Sequence, residues 1–254
     1  MINVNKISLR EVRRATHKEF RSNLVENISL NFIPILLRFL GLYFILKIYY
    51  AWMNNLNIST TDPPAATARM EHILTDISNN PDSVNNYTIK LDNLSTTVMY
   101  LLFLILCLIS VGIGYSLVNK FRNSELHLSP MAAFSVFSTK YFFGTIILLI
   151  MNIIIFQIGL WLFIIPGVIL MLIYSQNMYI YKDDVDAGQG RIFATYRKSA
   201  ILMRGNKGAF FVLLLEFLIL EIINFFTYEI LSIWLHPFEQ LTFAKFYQTL
   251  VDNQ

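Results

Sequence analysis

The chain has 254 residues, 55% of them hydrophobic and only 15% charged, with a mean hydropathy of +0.52 and a formal charge of +3. A water-soluble domain carries about 25% charged residues, so there are too few here to cover a water-facing surface, and a soluble globular fold is excluded. The one cysteine, Cys107, permits neither an intramolecular disulfide nor a Cys-rich metal site.

In chain order, residues 1–27 are polar and basic and form an expected cytosolic arm. Ser8 and Glu11 have the spacing of a capping box. Leu9, Val12, Phe20 and Leu24 recur at helical spacing, so the arm reads as an amphipathic helix. Either it lies on the membrane with Arg10, Arg13, Arg14, Lys18 and Arg21 toward lipid headgroups, or it packs on other cytosolic segments. The first apolar run starts near Ile28, too late and too long for a cleaved signal. A first span is expected from Ile28 to Trp52, with Pro34 in its early turns, where a missing amide is tolerated.

Residues 54–95 form a polar extracytoplasmic loop. Within it Pro63 and Pro64 precede a short helix with Ala66, Met70, Ile73, Leu74 and Ile77 on one face. A second span runs from Thr97 to Val118. Residues 128–139 start at Ser129-Pro130, a cap followed by proline at the first helical position, with Met131, Phe134 and Phe137 as the apolar stripe. The long apolar run from Tyr141 to Tyr181 is about twice one membrane span. Its Pro166-Gly167 pair predicts a hairpin of two spans turning near Ile165. Residues 183–207 form a third amphipathic helix, with Asp183, Asp184 and Asp186 at its start. Ile192, Phe193, Tyr196, Ala200 and Met203 make its apolar face, and Gly205 its stop. The last apolar region is either one span with an outside tail or two spans, Ala209 to Phe225 and Glu229 to Leu250. The second of these spans only if His236, Glu239 and Gln240 face protein.

Orientation follows from lysine and arginine near the spans. The arm holds six, the connection before residue 141 three, and that around residues 183–207 six, whereas the loop 54–95 holds only Arg69 and Lys90. The expected fold is therefore all-α, a single polytopic membrane domain over residues 1–254. It has six transmembrane helices, three cytosolic amphipathic helices and both termini cytosolic. Each amphipathic helix precedes a hairpin, and Phe20-Arg21-Ser22-Asn23 echoes Met203-Arg204-Gly205-Asn206, a suggestive threefold repeat.

One stretch resembles a known family. Ile165-Pro166-Gly167, Tyr174-Ser175, Tyr179, Ala194, Ser199, Leu202-Met203 and Gly205-Asn206-Lys207-Gly208 match it, as do Trp234, Pro237, Phe246 and Tyr247. The chain resembles the uncharacterised bacterial integral membrane family of unknown function 975. More distantly it is similar to the membrane domain attached to some glycerophosphodiester phosphodiesterases. The resemblance implies six helices and a bacterial plasma membrane, and it carries no catalytic residues. It departs from the family at Glu216, where a small residue is usual, and lacks a Gly-Trp pair shortly after.

No nucleotide loop, zinc spacing or Ser, His and Asp set is present, so no catalytic residue, metal or cofactor is expected. The unusual residues are charges within spans: Arg38, Lys47, Glu216, Glu221, Glu239 and Lys245. Such charges face the bundle interior as a rule. Helical rise places Arg38, Glu216 and Glu239 near mid-depth. They form a candidate polar cluster, read either as an ion, proton or headgroup site or as a structural ion pair. The expected function is a non-enzymatic accessory or scaffold protein that interacts with lipid or peptide. Its expected partners are anionic lipid of the bilayer and a membrane protein, with no nucleic acid. The alternative is a transporter or exporter of a small or lipidic substrate.

Overall fold

The computed structural model describes residues 6–89 and 93–254; Lys90, counted above with the outer loop, lies outside them. Among the described residues the fold is all-helical. The chain divides into two compact units, Met1–Leu36 with Ile105–Gln254, and Leu37–Leu104.

Helix α1 covers Leu9–Ser22 and α2 covers Leu24–Leu30. The expected capping box is not made: Ser8 is extended and occupies the cap, but its side chain bonds no amide. Only its carbonyl works, accepting from the amides of Glu11 and Val12. The first span starts later than its apolar run. A break at Asn31 separates α2 from α3, Phe32–Asn55. Pro34 explains the break, because a helix continued through it would need a proline amide to bond the Leu30 carbonyl. The side-chain amides of Asn27 and Asn31 each donate to a carbonyl four residues back, at 2.9 and 2.8 Å.

The unit Leu37–Leu104 has its own small core of Met53, Leu56, Ile58 and Ile73. Helix α4, Pro63–Asn79, starts as the sequence predicts, with Asp62 accepting from the Ala65 amide and proline in the first turn. Its buried face is narrower than expected. Ala66, Ile73 and Ile77 pack inward, whereas Met70 and Leu74 are exposed. The short helix α5, Val84–Tyr87, closes the core. There the Tyr87 carbonyl accepts from Trp52 Nε1 at 2.8 Å and the Tyr87 hydroxyl donates to Asp76 at 2.6 Å.

Helix α6 runs Asn93–Arg122. In the larger unit its second half supplies core residues, with Ile113, Tyr115, Leu117 and Val118 all at most 1% exposed. The segment after Ser129 is a 3-10 helix, Pro130–Phe137, and not an α-helix. With three residues per turn, Ala133 and Val136 share the buried face, while the expected stripe residues Met131 and Phe137 are exposed. Backbone proximity decides this. A Cβ on Gly112 of α6 would lie 2.2 Å from the Ala133 carbonyl oxygen, so only small residues fit on either side. Ser116 and Ser135 then bridge the two segments by hydrogen bonds of 2.7 Å to the Ala132 and Gly112 carbonyls.

The predicted hairpin is present. Helix α7, Phe142–Leu162, turns at the extended residue Phe163 into α8, Ile164–Tyr174. A Cβ on Gly159 would come within 2.7 Å of Gly167 Cα, so the two glycines let the helices touch backbone to backbone. A second break at Ser175 and Gln176 leads into α9, Asn177–Asp186. The three acids thus end a helix instead of starting one, and α10 begins only at Ile192 and ends at Leu202. The buried face of α10 is Thr195, Ser199 and Leu202; of the expected apolar face, Met203 just past the helix end is buried as expected, whereas Phe193 is exposed. Close packing favours these small polar residues, since Ser199 Oγ donates to the Ile173 carbonyl at 2.7 Å. Gly205 takes the left-handed φ of +82° expected of a stop. Asn23 and Asn206, the matched ends of the sequence echo, both occupy the N-cap position of the helix that follows, without a side-chain capping bond.

Helices α11, Lys207–Phe226, and α12, Ser232–Asp252, form an antiparallel pair. Their turn uses Asn224, Thr227 and Tyr228 as expected, with positive φ at Tyr228 and Glu229. Among the described residues, five helical segments are long and apolar enough to cross a membrane, consistent with a multi-pass membrane protein: Phe32–Asn55, Thr96–Arg122, Phe142–Leu162, Ile164–Asp186 and Lys207–Phe226. Helix α12 is not among them. The condition set for it is nonetheless met in part: His236 is 6% exposed, and the Glu239 and Gln240 side chains are half-buried.

Candidate functional site

The described part of the arm, from residue 6, is packed into the larger unit. Val12 and Thr16 of α1 are buried, and the rings of His17 and Phe20 meet Phe238 of α12 edge-on at 5.3 and 5.7 Å. The amide of Ile7 donates to Asn206 Oδ1 at 2.8 Å. These contacts orient the cationic side of α1. Arg10, Arg14, Lys18 and Arg21 are exposed. Arg13, grouped with them by sequence, turns instead to α11, where its Nε donates to Glu216 Oε2 at 3.2 Å and its Nη2 to Oε1.

The three residues of the expected polar cluster are distributed as follows. Glu216 is held through both oxygens by Arg13, and both side chains are about half exposed. Glu239 lies 4.0 Å from His236 Nδ1 on its own helix. Arg38 sits half-buried on α3, in the unit Leu37–Leu104. Lys245, another of the charges within spans, lies over the Phe121 ring at 5.2 Å.

A denser charge network occupies the end of α9. Acids in the last turn of a helix face its negative dipole end and are disfavoured there, so Asp183, Asp184 and Asp186 need bases. Arg122, at the end of α6, forks onto Asp183 with two bonds of 2.7 Å. The Tyr247 hydroxyl donates to the same carboxylate, and Arg122 Nε donates to Gln248 Oε1 at 2.9 Å. Lys198 takes Asp184, while Lys140 and Tyr141 both take Asp186. Lys182, 1% exposed, donates to Asp186 at 2.8 Å. Nearby, Lys120 is buried against Glu26 of α2, whose carboxylate also accepts from the Leu128 amide at 2.9 Å. Partial burial pushes the Glu26 carboxyl up. Lys120, the Leu128 amide and His127 outweigh it and hold the group below the ordinary glutamate value. Sequence reading missed this network because it assigned the three acids to the wrong end of a helix.

A cavity of about 320 Å³ opens where α6, α8, α9, α11 and α12 converge. Its wall is mostly apolar, and no ionised side chain lines it. Glu216 is not among the lining residues. Among the described residues, no group of three or more His, Cys, Asp or Glu side chains could hold a metal ion.

The model of the family described as "Protein of unknown function (DUF975)" matches residues 3–254, and the chain belongs to that family. No curated protein and no solved structure matches the chain. The likeness to the membrane domain of glycerophosphodiester phosphodiesterases stays an expectation from sequence.

Proposed function

We propose that this protein is a non-enzymatic accessory or scaffold protein of the bacterial plasma membrane, which gathers anionic lipid or an acidic membrane partner along its basic arm. One observation carries the reading. Contacts of α1 with α11 and α12 leave Arg10, Arg14, Lys18 and Arg21 exposed together on a fixed helix, while Arg13 is neutralised by Glu216. A cationic edge held rigid in advance loses little entropy on meeting headgroups, and each basic residue near an anionic surface contributes about 1 kcal/mol. The cavity favours the second reading, a transporter of a lipidic substrate. Its wall has no ionised side chain to couple transport to an ion, which is why the accessory reading ranks first.

The test uses the full chain in nanodiscs of mixed phosphatidylglycerol and phosphatidylcholine, with retained lipid measured by mass spectrometry. Each of Arg10→Gln, Arg14→Gln and Lys18→Gln should weaken phosphatidylglycerol retention about fivefold, and Arg13→Gln should leave it unchanged. Equal enrichment of both lipids on the native protein would remove the electrostatic basis of the proposal.

In the same reading α12 is the sixth span, shielded on its polar side by α1 and α11, and both termini are cytosolic. The lysine and arginine asymmetry supports that orientation. A phosphatase reporter fused after Gln254 should be inactive, and a cytosolic fluorescent reporter there should glow. The opposite pair of results would favour five spans.

A further inference from the structure

The cavity between α6, α8, α9, α11 and α12 has chemistry that the arm does not use. Its apolar wall includes Met171, Met178, Leu214 and Phe243. Methionine adapts to irregular hydrocarbon, so this wall suits an alkyl chain. Its polar lining includes Ser175 and Gln176, where the helix breaks between α8 and α9, together with Ser110 on α6 and Gln240 on α12. Gln176 is 1% exposed, and its amide nitrogen donates to Ser175 Oγ at 2.9 Å. Ser175 Oγ in turn donates to the Leu172 carbonyl at 3.0 Å. The Gln176 carbonyl oxygen is buried and has no partner. A buried acceptor without a donor is rare in native folds and marks a place where a water or a ligand completes the bonding. The Gln176 Oε1 lone pairs are therefore open, while Nε2 of the same amide is held by Ser175.

We infer that this cavity binds a neutral, single-chain amphiphile whose head is a hydroxyl, such as a long-chain alcohol or a monoacylglycerol. The hydroxyl donates to Gln176, and the alkyl chain runs along Met171, Met178 and Phe243. The uncharged wall argues against a fatty acid or a phosphate headgroup, because an ionised head would be desolvated there with no countercharge. The volume is near the lower end of ligand pockets and suits one chain better than two. The site is separate from the basic arm, so its test leaves the proposal for the arm untouched.

Diazirine-bearing hexadecanol, hexadecane and palmitic acid of matched length are photolysed with the full chain in nanodiscs, and the labelled peptides are sequenced. Hexadecanol should label the segments holding Met171, Met178 and Phe243 about fivefold more than hexadecane, the gain of one ordinary hydrogen bond. Gln176→Leu should abolish that preference while leaving hexadecane labelling and the melting temperature intact. Leu214→Trp, which fills the cavity from α11, should lower labelling by both probes. Equal labelling by alcohol and alkane would mean that ordinary acyl chains fill the space, and the inference would fall. A preference for palmitic acid, or an alcohol preference that survives both substitutions, would overturn it as well.

Discussion

Replacing Lys120 by methionine should lower the stability of the folded chain by about 3–5 kcal/mol, the usual cost of leaving half of a buried ion pair behind. Lys120 is 4% exposed and its partner Glu26 has a side chain 16% exposed, so neither charge has water to fall back on. Glu19 is a second acid, 3.6 Å from the same ammonium. Methionine keeps the length of the stem and removes only the charge, which separates the electrostatic loss from a packing loss. Glu26→Gln should cost less than Lys120→Met, because an amide oxygen can still accept from the Leu128 amide. The double change should cost less than the sum of the two. Melting in detergent measures all three, and strict additivity would show that the two groups are not coupled.

The same pair gives a pH dependence. The folded-state pKa of Glu26 is depressed, so its contribution is present above the unfolded value and disappears as pH falls through the lower folded value. Native protein should therefore lose stability on acidification below the ordinary glutamate range, about pH 4. Lys120→Met should flatten that limb of the curve.

The apolar helices were the most legible part of the chain. A run such as Val98–Val118 can satisfy its backbone in hydrocarbon only as a helix, and α6, α7 and α11 lie where the hydropathy put them. Pro166 and Gly167 marked the hairpin, although the turn itself is made at Phe163 and both residues lie in the first turn of α8, where a missing amide is tolerated and Gly167 lets the helices touch. Short helices were less legible. In Pro130–Phe137 and α10 the sequence offers large apolar residues for one face, but the chain buries Ala133, Val136, Thr195 and Ser199. The buried face was decided by how closely a neighbouring backbone approaches, and no local pattern encodes that. Polar pairing was legible only as unease. Glu216 stood out as a charge within a span, yet its partner Arg13 is 203 residues away in the chain, and spacing cannot choose between Arg13 and Arg38. Asp183, Asp184 and Asp186 signalled a helix terminus correctly but gave the wrong end, since Lys182, Lys198 and Arg122 overcome the dipole preference.

That reversal makes Asp183 the other place where one substitution should be costly. Its carboxylate accepts two parallel bonds from Arg122 and one from Tyr247, which is 2% exposed. Asp183→Ala leaves a buried hydroxyl without an acceptor and a partly buried guanidinium without its anion. The expected loss is about 3 kcal/mol, at the lower edge of the buried-pair range because Arg122 remains 35% exposed. Arg122→Gln should act differently. It leaves Asp183 facing the negative end of α9, so the last turn should fray, and the amides of Ala187, Gly188 and Gln189, which bond back into α9, should lose protection from hydrogen exchange. Tyr247→Phe alone should cost about 1 kcal/mol, the net worth of one hydrogen bond. In the Asp183→Ala background it should cost almost nothing, because the hydroxyl has already lost its partner. Phenylalanine keeps the ring stack on Tyr179, 5.0 Å between ring centres, so a full additional loss there would mean that the Tyr247 hydroxyl acts through something other than Asp183, and that the carboxylate does not organise this end of the bundle.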